Sequence, residues 1–369
     1  MKIKLITVVG TRPELIRLSE IIKKFDKNFE HVLVYTNQNH DSKLKDIFIN
    51  ELGIRKPNYE LRLKNESSLS FIGEMIIKVE KILIKEKPDA FFILGDTNSC
   101  LSALAAKKLK VPIFHYEAGN RCFDTRVPEE INRKIIDNLS DINLTYSSFA
   151  KENLIAESFK NDRVIKVGSP LKEVFLANKT KINNSNILKK LKLKKSQYIL
   201  VSYHREENVD DLIKLNKFVN ILNSLNLHFK KKIIVSTHPR TKIRLKKIKI
   251  ENYNNIIFSE PFGYNDYMNL QINSLVVISD SGSIPEETSL LNFKSIILRD
   301  TFERQEVFEN ESLIMSQLEK NYLINCINRI LNKKKINKIH KDYDVDDVSS
   351  KIVNIILSYI PFINNYILR

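Results

Sequence analysis

The sequence predicts an α/β protein built from two doubly wound domains, and three observations carry that reading. A chain of 369 residues is longer than a single hydrophobic core usually grows, so two domains are expected. Short β-rich apolar runs alternate with segments of helical periodicity, which is the mark of βαβ units and a parallel sheet. Glycine is scarce: eight are present, where an average usage of about 7% would give roughly 26. Five of the eight lie just past the end of a β-rich run, and a chain so poor in glycine is expected to keep it where backbone geometry requires it.

In chain order, residues 5–9 read as a strand closed by Gly10, followed by a helix over 13–25. Helical spacing covers 71–84, and the apolar run 90–94 is a strand ending at Gly95. A helix over 99–109 leads to a strand at 111–118 before Gly119. Helices follow over 129–139 and 147–157, then a strand at 164–167 before Gly168. A Lys- and Asn-rich segment at about 177–196 breaks the alternation, which restarts with the strand 198–203 and the helix 212–225. Strands at 233–237, 256–258, 275–279 and 295–298 then alternate with helices over 240–247, 265–273 and 284–291. The expected division is an N-terminal Rossmann-like domain at 1–170, a C-terminal one at 171–350 and a terminal helix at 351–369 that packs back toward the N-terminal domain. The apolar stretch 352–368 is interrupted by Asn354, Pro361, Asn364 and Asn365, so it is too broken to span a bilayer.

Lys and Arg outnumber Asp and Glu by 60 to 44, a net charge of +16. The lysines are dispersed or sit in short runs such as Lys230, Lys231 and Lys232, without the aromatic interleaving of a nucleic-acid surface. A solvated basic surface is the expectation, with no nucleic-acid partner. Cys100, Cys122 and Cys326 are odd in number and lack metal-ligand spacing, and the N-terminus enters a strand directly instead of through a signal-peptide core. Both features fit a reduced, cytoplasmic setting.

Polar and titratable residues gather just after the predicted strands. Gly10-Thr11-Arg12-Pro13 follows the first, Asp96-Thr97-Asn98 follows the strand ending at Gly95, and Glu117 closes the strand at 111–118. In the second half, His204-Arg205, His238-Pro239-Arg240 and Asp280-Ser281-Gly282-Ser283 follow their strands. One such loop could be no more than a helix cap. Six of them, carrying two histidines, Glu117 and several arginines, point to the carboxyl edge of each sheet as the ligand crevice, with the crevice between the two domains.

Ser281-Gly282-Ser283 opens a helix, so its backbone N–H groups and the helix dipole suit a diphosphate. Glu287 in the first turn of that helix could accept the two hydroxyls of a ribose. Gly10-Thr11-Arg12-Pro13 reads as a second strand–loop–helix anion site, with Pro13 at a first helical position. Neither loop is a dinucleotide or Walker fingerprint, which disfavours NAD and ATP chemistry. Asp96, Glu117, Glu129 and Glu130 fall within 35 residues, accompanied by His115, Arg121, Arg126 and Arg133. Carboxylates crowded around one ring can divide acid and base work, because burial and mutual repulsion separate their pKa values. The four-residue spacing of Glu129 and Arg133 lets them pair on one helix face. No nucleophile elbow or catalytic-cysteine signature occurs, and His115, Glu117 and His204 do not form a metal-binding spacing, so no metal and no cofactor is expected.

The segments VVGTRPELIR, LGDTNSCLSALAAKK, HYEAGNRCFDTRVPEEINRK, HREENVD, STHPRT, SDSGSIPEE and LRDTFERQE resemble the non-hydrolysing UDP-N-acetylglucosamine 2-epimerase family over most of the chain. The resemblance implies a GT-B type of fold, a homodimer, and elimination of UDP from a UDP-activated 2-acetamido sugar followed by its re-addition. It implies Asp96, Glu117, Glu129 and His204 as catalytic residues. It implies Arg12, Arg17, Arg133, His238, Ser281, Gly282, Ser283, Glu287 and Arg304 as substrate- or UDP-binding residues. GDTNSC, EAGNRCFDTRVPEEINRK and HREENVD resemble one branch of the family, which forms UDP-N-acetyl-L-fucosamine from UDP-2-acetamido-2,6-dideoxy-L-talose for capsule or O-antigen synthesis. The alternatives are exchange of UDP-N-acetylglucosamine with its manno epimer, a GT-B glycosyltransferase and, from another class, a non-catalytic basic binding protein.

Departures from the family pattern carry expectations of their own. Arg17 stands where glucosamine-specific members tend to have Lys, and Ser283 and Pro285 replace Gly and Gln. Asn37-Gln38-Asn39-His40-Asp41 replaces a segment resembling an allosteric substrate site, which implies weak or absent activation by substrate.

Overall fold

The computed structural model describes residues 2–38, 42–63, 67–248, 255–309, 313–333 and 339–367. It divides into two compact units, Met1–Ala177 with Lys341–Arg369, and Asn178–His340. The chain therefore leaves the first unit at 177 where the sequence suggested 170, and it rejoins that unit at 341 where the sequence suggested 351.

The first unit runs β1 (Lys4–Val9), α1 (Arg12–Asn28), β2 (Glu30–Tyr35), α2 (Ser42–Leu52), β3 (Tyr59–Glu60), α3 (Ser68–Glu86) and β4 (Ala90–Leu94). A 3₁₀ turn (Asn98–Ser102) then precedes α4 (Ala103–Lys108), β5 (Ile113–Tyr116), α5 (Pro128–Leu139), β6 (Ile142–Thr145), α6 (Ser148–Ala156) and β7 (Val164–Lys166). The helix read from sequence at 99–109 is thus a 3₁₀ turn and a short α-helix. Its all-parallel sheet has the order β3-β2-β1-β4-β5-β6-β7. Every residue of β4 is buried, as expected for a parallel strand covered on both faces.

α7 (Leu171–Asn183) crosses to the second unit, where α8 (Ile187–Lys190), β8 (Tyr198–Ser202), α9 (Glu206–Val209), α10 (Leu212–Phe229), β9 (Lys232–Ser236) and α11 (Pro239–Leu245) follow. Then come β10 (Ile256–Ser259), α12 (Tyr264–Asn273), β11 (Val276–Ser279), α13 (Ile284–Leu291), β12 (Ser295–Leu298), β13 (Ile314–Ser316) and α14 (Lys320–Leu331). The second sheet is also parallel, in the order β10-β9-β8-β11-β12-β13. α15 (Val348–Tyr366) closes the chain in the first unit.

In each sheet the strand order reverses beside the first strand of the unit, between β1 and β4 and between β8 and β11. Those are the topological switch points, where neighbouring loops diverge and leave room for a ligand.

Local sequence explains the helices that frame these points. α1 begins with Thr11 as N-cap and Glu14 completing a capping box, with Pro13 in its first turn. Leu15, Leu18, Ile22 and Phe25 recur at helical spacing and are buried, each contributing about 1.5–3 kcal/mol of burial. α15 buries Ile352, Ile356, Ile360 and Ile363 and continues through Pro361. It packs on α1, with Lys24 Nζ 3.6 Å from Asp347. Asp342 secures the returning chain by accepting from Lys166 Nζ (2.7 Å) and the Ser148 N–H (3.0 Å). Among the described residues, no helix is long and apolar enough to cross a membrane.

The glycines divide by cause. Gly10 lacks a positive φ, but a Cβ there would lie 1.9 Å from Ser99 Oγ. Gly119 has φ +80, and a Cβ would lie 2.1 Å from the Ala150 carbonyl oxygen. Gly73, exposed on α3, has nothing within 4 Å of a Cβ position and so departs from the rule that glycine here marks a geometric need. Gly119→Ala should lower the unfolding free energy by at least about 2 kcal/mol. Gly73→Ala should raise it by about 0.5–1 kcal/mol. Urea unfolding of the two variants beside the parent checks both signs.

Candidate active site

Each unit carries its polar residues at the switch point. In the first, Gly10, Thr11 and Arg12 follow β1, Gly95, Asp96 and Thr97 follow β4, and Glu117 follows β5. The loop after β1 is built around Glu14, which is 1% exposed. Glu14 Oε2 accepts from the Gly10 N–H (3.1 Å), the Thr11 N–H (2.7 Å) and the Thr11 hydroxyl (2.7 Å). This corrects the sequence reading of residues 10–13 as an anion site, because two of the backbone donors it invoked already serve an internal carboxylate. What the loop offers is the half-buried Arg12, whose guanidinium lies 5.8 Å from the centroid of the Phe48 ring.

Asp96 and Arg133 meet across β4 and α5: Arg133 Nε donates to Asp96 Oδ2 at 2.7 Å. Nη1 of the same guanidinium donates to Glu130 at 2.8 Å. Glu130, which the sequence reading left out of the site, is fully buried and also accepts from the N–H groups of Cys122 and Phe123, both at 3.1 Å. Burial works to raise its pKa, but the Cys122 N–H and the charge of Arg133 outweigh burial and hold the carboxyl below its ordinary range. The sequence placed it in the carboxylate cluster, and only the fold shows that a loop eight residues upstream wraps onto it. Glu129, its neighbour, is half-buried in the same turn. Asn132 Nδ2 ties α5 to the Asp96 carbonyl at 2.9 Å.

Glu117 has φ +71, a left-handed conformation uncommon outside glycine. The residues on either side are fastened. His115 donates from Nε2 to the Gly95 carbonyl (2.9 Å), and its Nδ1 lies 2.9 Å from Asp137. Asp137 also takes Arg121 Nη1 (2.8 Å) and the Gly119 N–H (3.3 Å). Arg121, wholly buried, holds Glu157 through two nitrogens at 2.8 and 2.6 Å. The Glu117 carboxylate, 16% exposed, lies 4.0 Å from Arg17 Nη1. That guanidinium also lies over the Tyr146 ring, 5.6 Å from its centroid. Asn37 Nδ2 donates to the Leu61 carbonyl, and Gln38 Oε1 accepts from the N–H and hydroxyl of Ser99. The rest of the segment compared with an allosteric site, residues 39–41, lies outside the described residues.

In the second unit Asp280, at the end of β11 and fully buried, accepts from the N–H groups of His204 (3.0 Å) and Arg205 (2.9 Å) after β8, and from Asn208 Nδ2 (3.0 Å). Its Oδ1 lies 3.1 Å from His204 Nδ1. Burial would raise Asp280, but the His204 charge and these hydrogen bonds overcome it and hold the carboxyl at about 2. With Nδ1 turned to the carboxylate, Nε2 is on the outer side of a ring whose side chain is 35% exposed. The His204 and His238 rings lie 6.1 Å apart, and His238 Nδ1 accepts from the Arg240 N–H at the start of α11.

Ser281, Gly282 and Ser283 precede α13, with the two hydroxyls 3.0 Å apart. A Cβ at Gly282 would lie 2.7 Å from Glu303 Oε1, so a side chain there would have to displace the end of that glutamate. Arg304 sits beneath this loop, 1% exposed, donating from Nε to the Gly282 carbonyl (3.0 Å) and lying 3.0 Å from buried Glu286. It shapes the loop from behind. Glu287 Oε2 accepts from Gln271 Nε2 at 2.6 Å. Among the described residues, no cluster of His, Cys, Asp and Glu has the arrangement of a metal site.

A family profile described as UDP-N-acetylglucosamine 2-epimerase matches residues 23–357. The solved UDP-N-acetylglucosamine 2-epimerase of Rickettsia bellii is 43% identical, with a TM-score of 0.92 covering 100% of this chain and 99% of that one. That of Methanocaldococcus jannaschii, crystallised with UDP-GlcNAc and UDP, is 34% identical with a TM-score of 0.91, covering 96% of this chain and 100% of its own. The UDP-2,3-diacetamido-2,3-dideoxy-D-glucuronate 2-epimerase of Pseudomonas aeruginosa is 33% identical over 81% of this chain and 84% of its own. The pair of doubly wound units is therefore of the GT-B type, and the chain belongs to the UDP-N-acetylglucosamine 2-epimerase family.

Proposed function

We propose that the chain inverts carbon 2 of a UDP-activated 2-acetamido sugar by eliminating UDP and adding it back. The observation that carries this reading is the left-handed Glu117 at the same sheet edge as the Arg133-bound Asp96. Backbone strain on a non-glycine residue in a ligand crevice marks a side chain held for function.

The hydrogen on carbon 2 has no carbonyl beside it, so it becomes removable only as the bond from carbon 1 to the diphosphate oxygen breaks. UDP leaves with the electron pair, a carboxylate takes the carbon 2 proton, and a 2-acetamidoglycal results. Return of a proton to the opposite face of carbon 2, with attack of the UDP oxygen on carbon 1, gives the epimer. Asp96, Glu117 and Glu129 are the groups assigned to the proton transfers, with Arg133 and Arg17 setting their charge. His204, Arg12 and the Ser281–Ser283 loop are assigned to the charge that grows on the departing diphosphate. His238 and Arg304 hold that machinery in shape, and Glu287 is assigned to the ribose.

Within this class, the wording of the segments around Asp96, Glu117 and His204 supports UDP-2-acetamido-2,6-dideoxy-L-talose as substrate and UDP-N-acetyl-L-fucosamine as product. The second reading, UDP-N-acetylglucosamine, is supported by the ligands of the Methanocaldococcus relative. Incubation with each UDP-sugar in heavy water separates these readings: the true substrate gains deuterium at carbon 2 without any acceptor. Absence of deuterium from both, with transfer to an added acceptor, would mean a glycosyltransferase. Glu117→Gln should lower turnover at least about a hundredfold while the Kd for UDP, measured by calorimetry, stays within about threefold.

We also propose a homodimer. α3, α4 and α5 lie side by side and expose Ile77, Ile84, Leu104, Ile131 and Ile135, an outer helical face richer in large apolar side chains than solvent alone favours. Sedimentation should show a dimer for the parent chain and a monomer for the variant Ile77→Lys with Ile84→Lys.

A further inference from the structure

Glu14 lies outside the residues assigned to substrate contact, yet it joins the loops that carry two of them. Its Oε2 takes the N–H groups of Gly10 and Thr11 and the Thr11 hydroxyl, just before Arg12. Its Oε1 accepts from the Thr97 hydroxyl at 3.2 Å, directly after Asp96, with the Cys100 thiol at 3.9 Å. One buried carboxyl thus ties the loop after β1 to the loop after β4 across the switch point. We propose that Glu14 is a positioning residue: its ionised carboxylate holds the Arg12 and Asp96 loops in register for the reaction, and its protonation loosens them. The proposal rests on the reading of Asp96 as a substrate-facing carboxylate.

The donor pattern shows why charge state matters. Every hydrogen bond to Glu14 is one it accepts, which suits the acceptor-only ionised form. A proton must go somewhere, and Oε2 already faces three donors, so it goes on Oε1. That oxygen then donates to Thr97 Oγ1, and the Thr97 hydrogen turns away, with Cys100 Sγ 3.6 Å off. A charge-assisted bond between the two loops is replaced by a weaker neutral one.

Among the described residues, no cation donates to Glu14. Burial raises it to about 7 despite the bonds from Thr11, Gly10 and Thr97. The titratable groups that interact with its charge are Tyr35 at the end of β2 and Cys100 in the 3₁₀ turn, while the charges of Arg12 in its own first turn and Asp96 after β4 act on Tyr35 and Cys100 respectively. Burial pushes Tyr35 and Cys100 above their ordinary ranges, so both stay neutral while Glu14 titrates. The folded value lies above the ordinary carboxyl value of about 4.3. The ionised, loop-holding form therefore predominates only above about pH 7, and kcat/KM should rise through that pH.

Glu14→Gln tests this, because its carbonyl can take the place of Oε2 while its amide donates toward Thr97, copying the protonated acid at every pH. The variant should lack the limb near pH 7, fall at least about tenfold below the parent at pH 8.5, and keep the Kd for UDP within about threefold. Full activity at pH 8.5, or a surviving limb, overturns the proposal. Thr97→Val removes one bond that favours the charged form, so its limb should move to higher pH, while Thr97→Ser should leave it in place. An unmoved limb in Thr97→Val overturns the proposal even where Glu14→Gln does not fold. Asp96→Asn separates the two levels. Lost turnover there with an unaffected Glu14→Gln sinks the positioning role alone. Retained turnover sinks the site reading and the positioning role with it.

Discussion

A buried carboxylate closes the switch point of each sheet, and the geometry of both candidate half-sites follows from that. Parallel strands of opposite winding send their loops apart at the switch point, which opens space for a ligand but leaves backbone N–H groups without sheet partners. Glu14 gathers those of Gly10 and Thr11 in the first unit, and Asp280 gathers those of His204 and Arg205 in the second. Each carboxylate also reaches the loop on the far side of the reversal. The two differ in what offsets their burial. Asp280 has a histidine at 3.1 Å and is held at about 2, so it is an anion at any pH where the protein works. Glu14 has only neutral donors among the described residues and rises to about 7. The same structural device is fixed in one unit and poised to titrate in the other.

A second layer of ion pairs keeps the first unit's edge in place. Glu117 occupies a left-handed conformation that costs on the order of 1–3 kcal/mol, and it persists because its flanks are fastened. His115 on one side and Gly119 on the other both reach Asp137, which Arg121 neutralises. Removing one partner of such a buried pair costs about 3–5 kcal/mol by stranding the other charge, so the loss of Arg121 would leave Asp137 uncompensated between the two flanks. Arg133 works similarly between Glu130 and Asp96. One guanidinium joins a buried carboxylate, held below its ordinary pKa range, to a partly exposed one, which sets the orientation of Asp96 without sealing it from solvent.

Much of the frame was legible in the sequence, because strands of a parallel sheet are continuous apolar runs and their carboxyl ends are marked by glycine and polar residues. The runs ending near Gly10, Gly95, Gly119 and Gly168 became β1, β4, β5 and β7. What escaped was decided by contacts distant in sequence. Glu14 drew no reading of its own, and its bond to Thr97 spans 83 residues. Glu130 was read as one of a carboxylate cluster, and its role as the partner of Arg133 and of the 122–123 backbone came only from the fold. Arg304 looked like a ligand-facing arginine, and only its burial beneath Gly282 shows that it supports the loop. Sequence patterns are local, so they mark where such residues stand without showing which distant groups they hold.

The contrast between Glu14 and Asp280 bears on how a proton-transferring site and a leaving-group site need different electrostatics. Holding a diphosphate calls for an environment that stays the same while negative charge grows nearby, and an aspartate locked as an anion keeps the His204 ring oriented throughout. Moving protons to and from carbon calls for carboxylates whose affinities lie within reach of neutral pH. An anchor whose charge is cancelled by a cation exerts little net field on groups around it, whereas an anion held by neutral donors raises their pKa as a like charge, as Glu14 does for Tyr35 and Cys100. Among the described residues no cation donates to Glu14, so its hold on the Arg12 and Asp96 loops rests on neutral donors and varies with its own charge state.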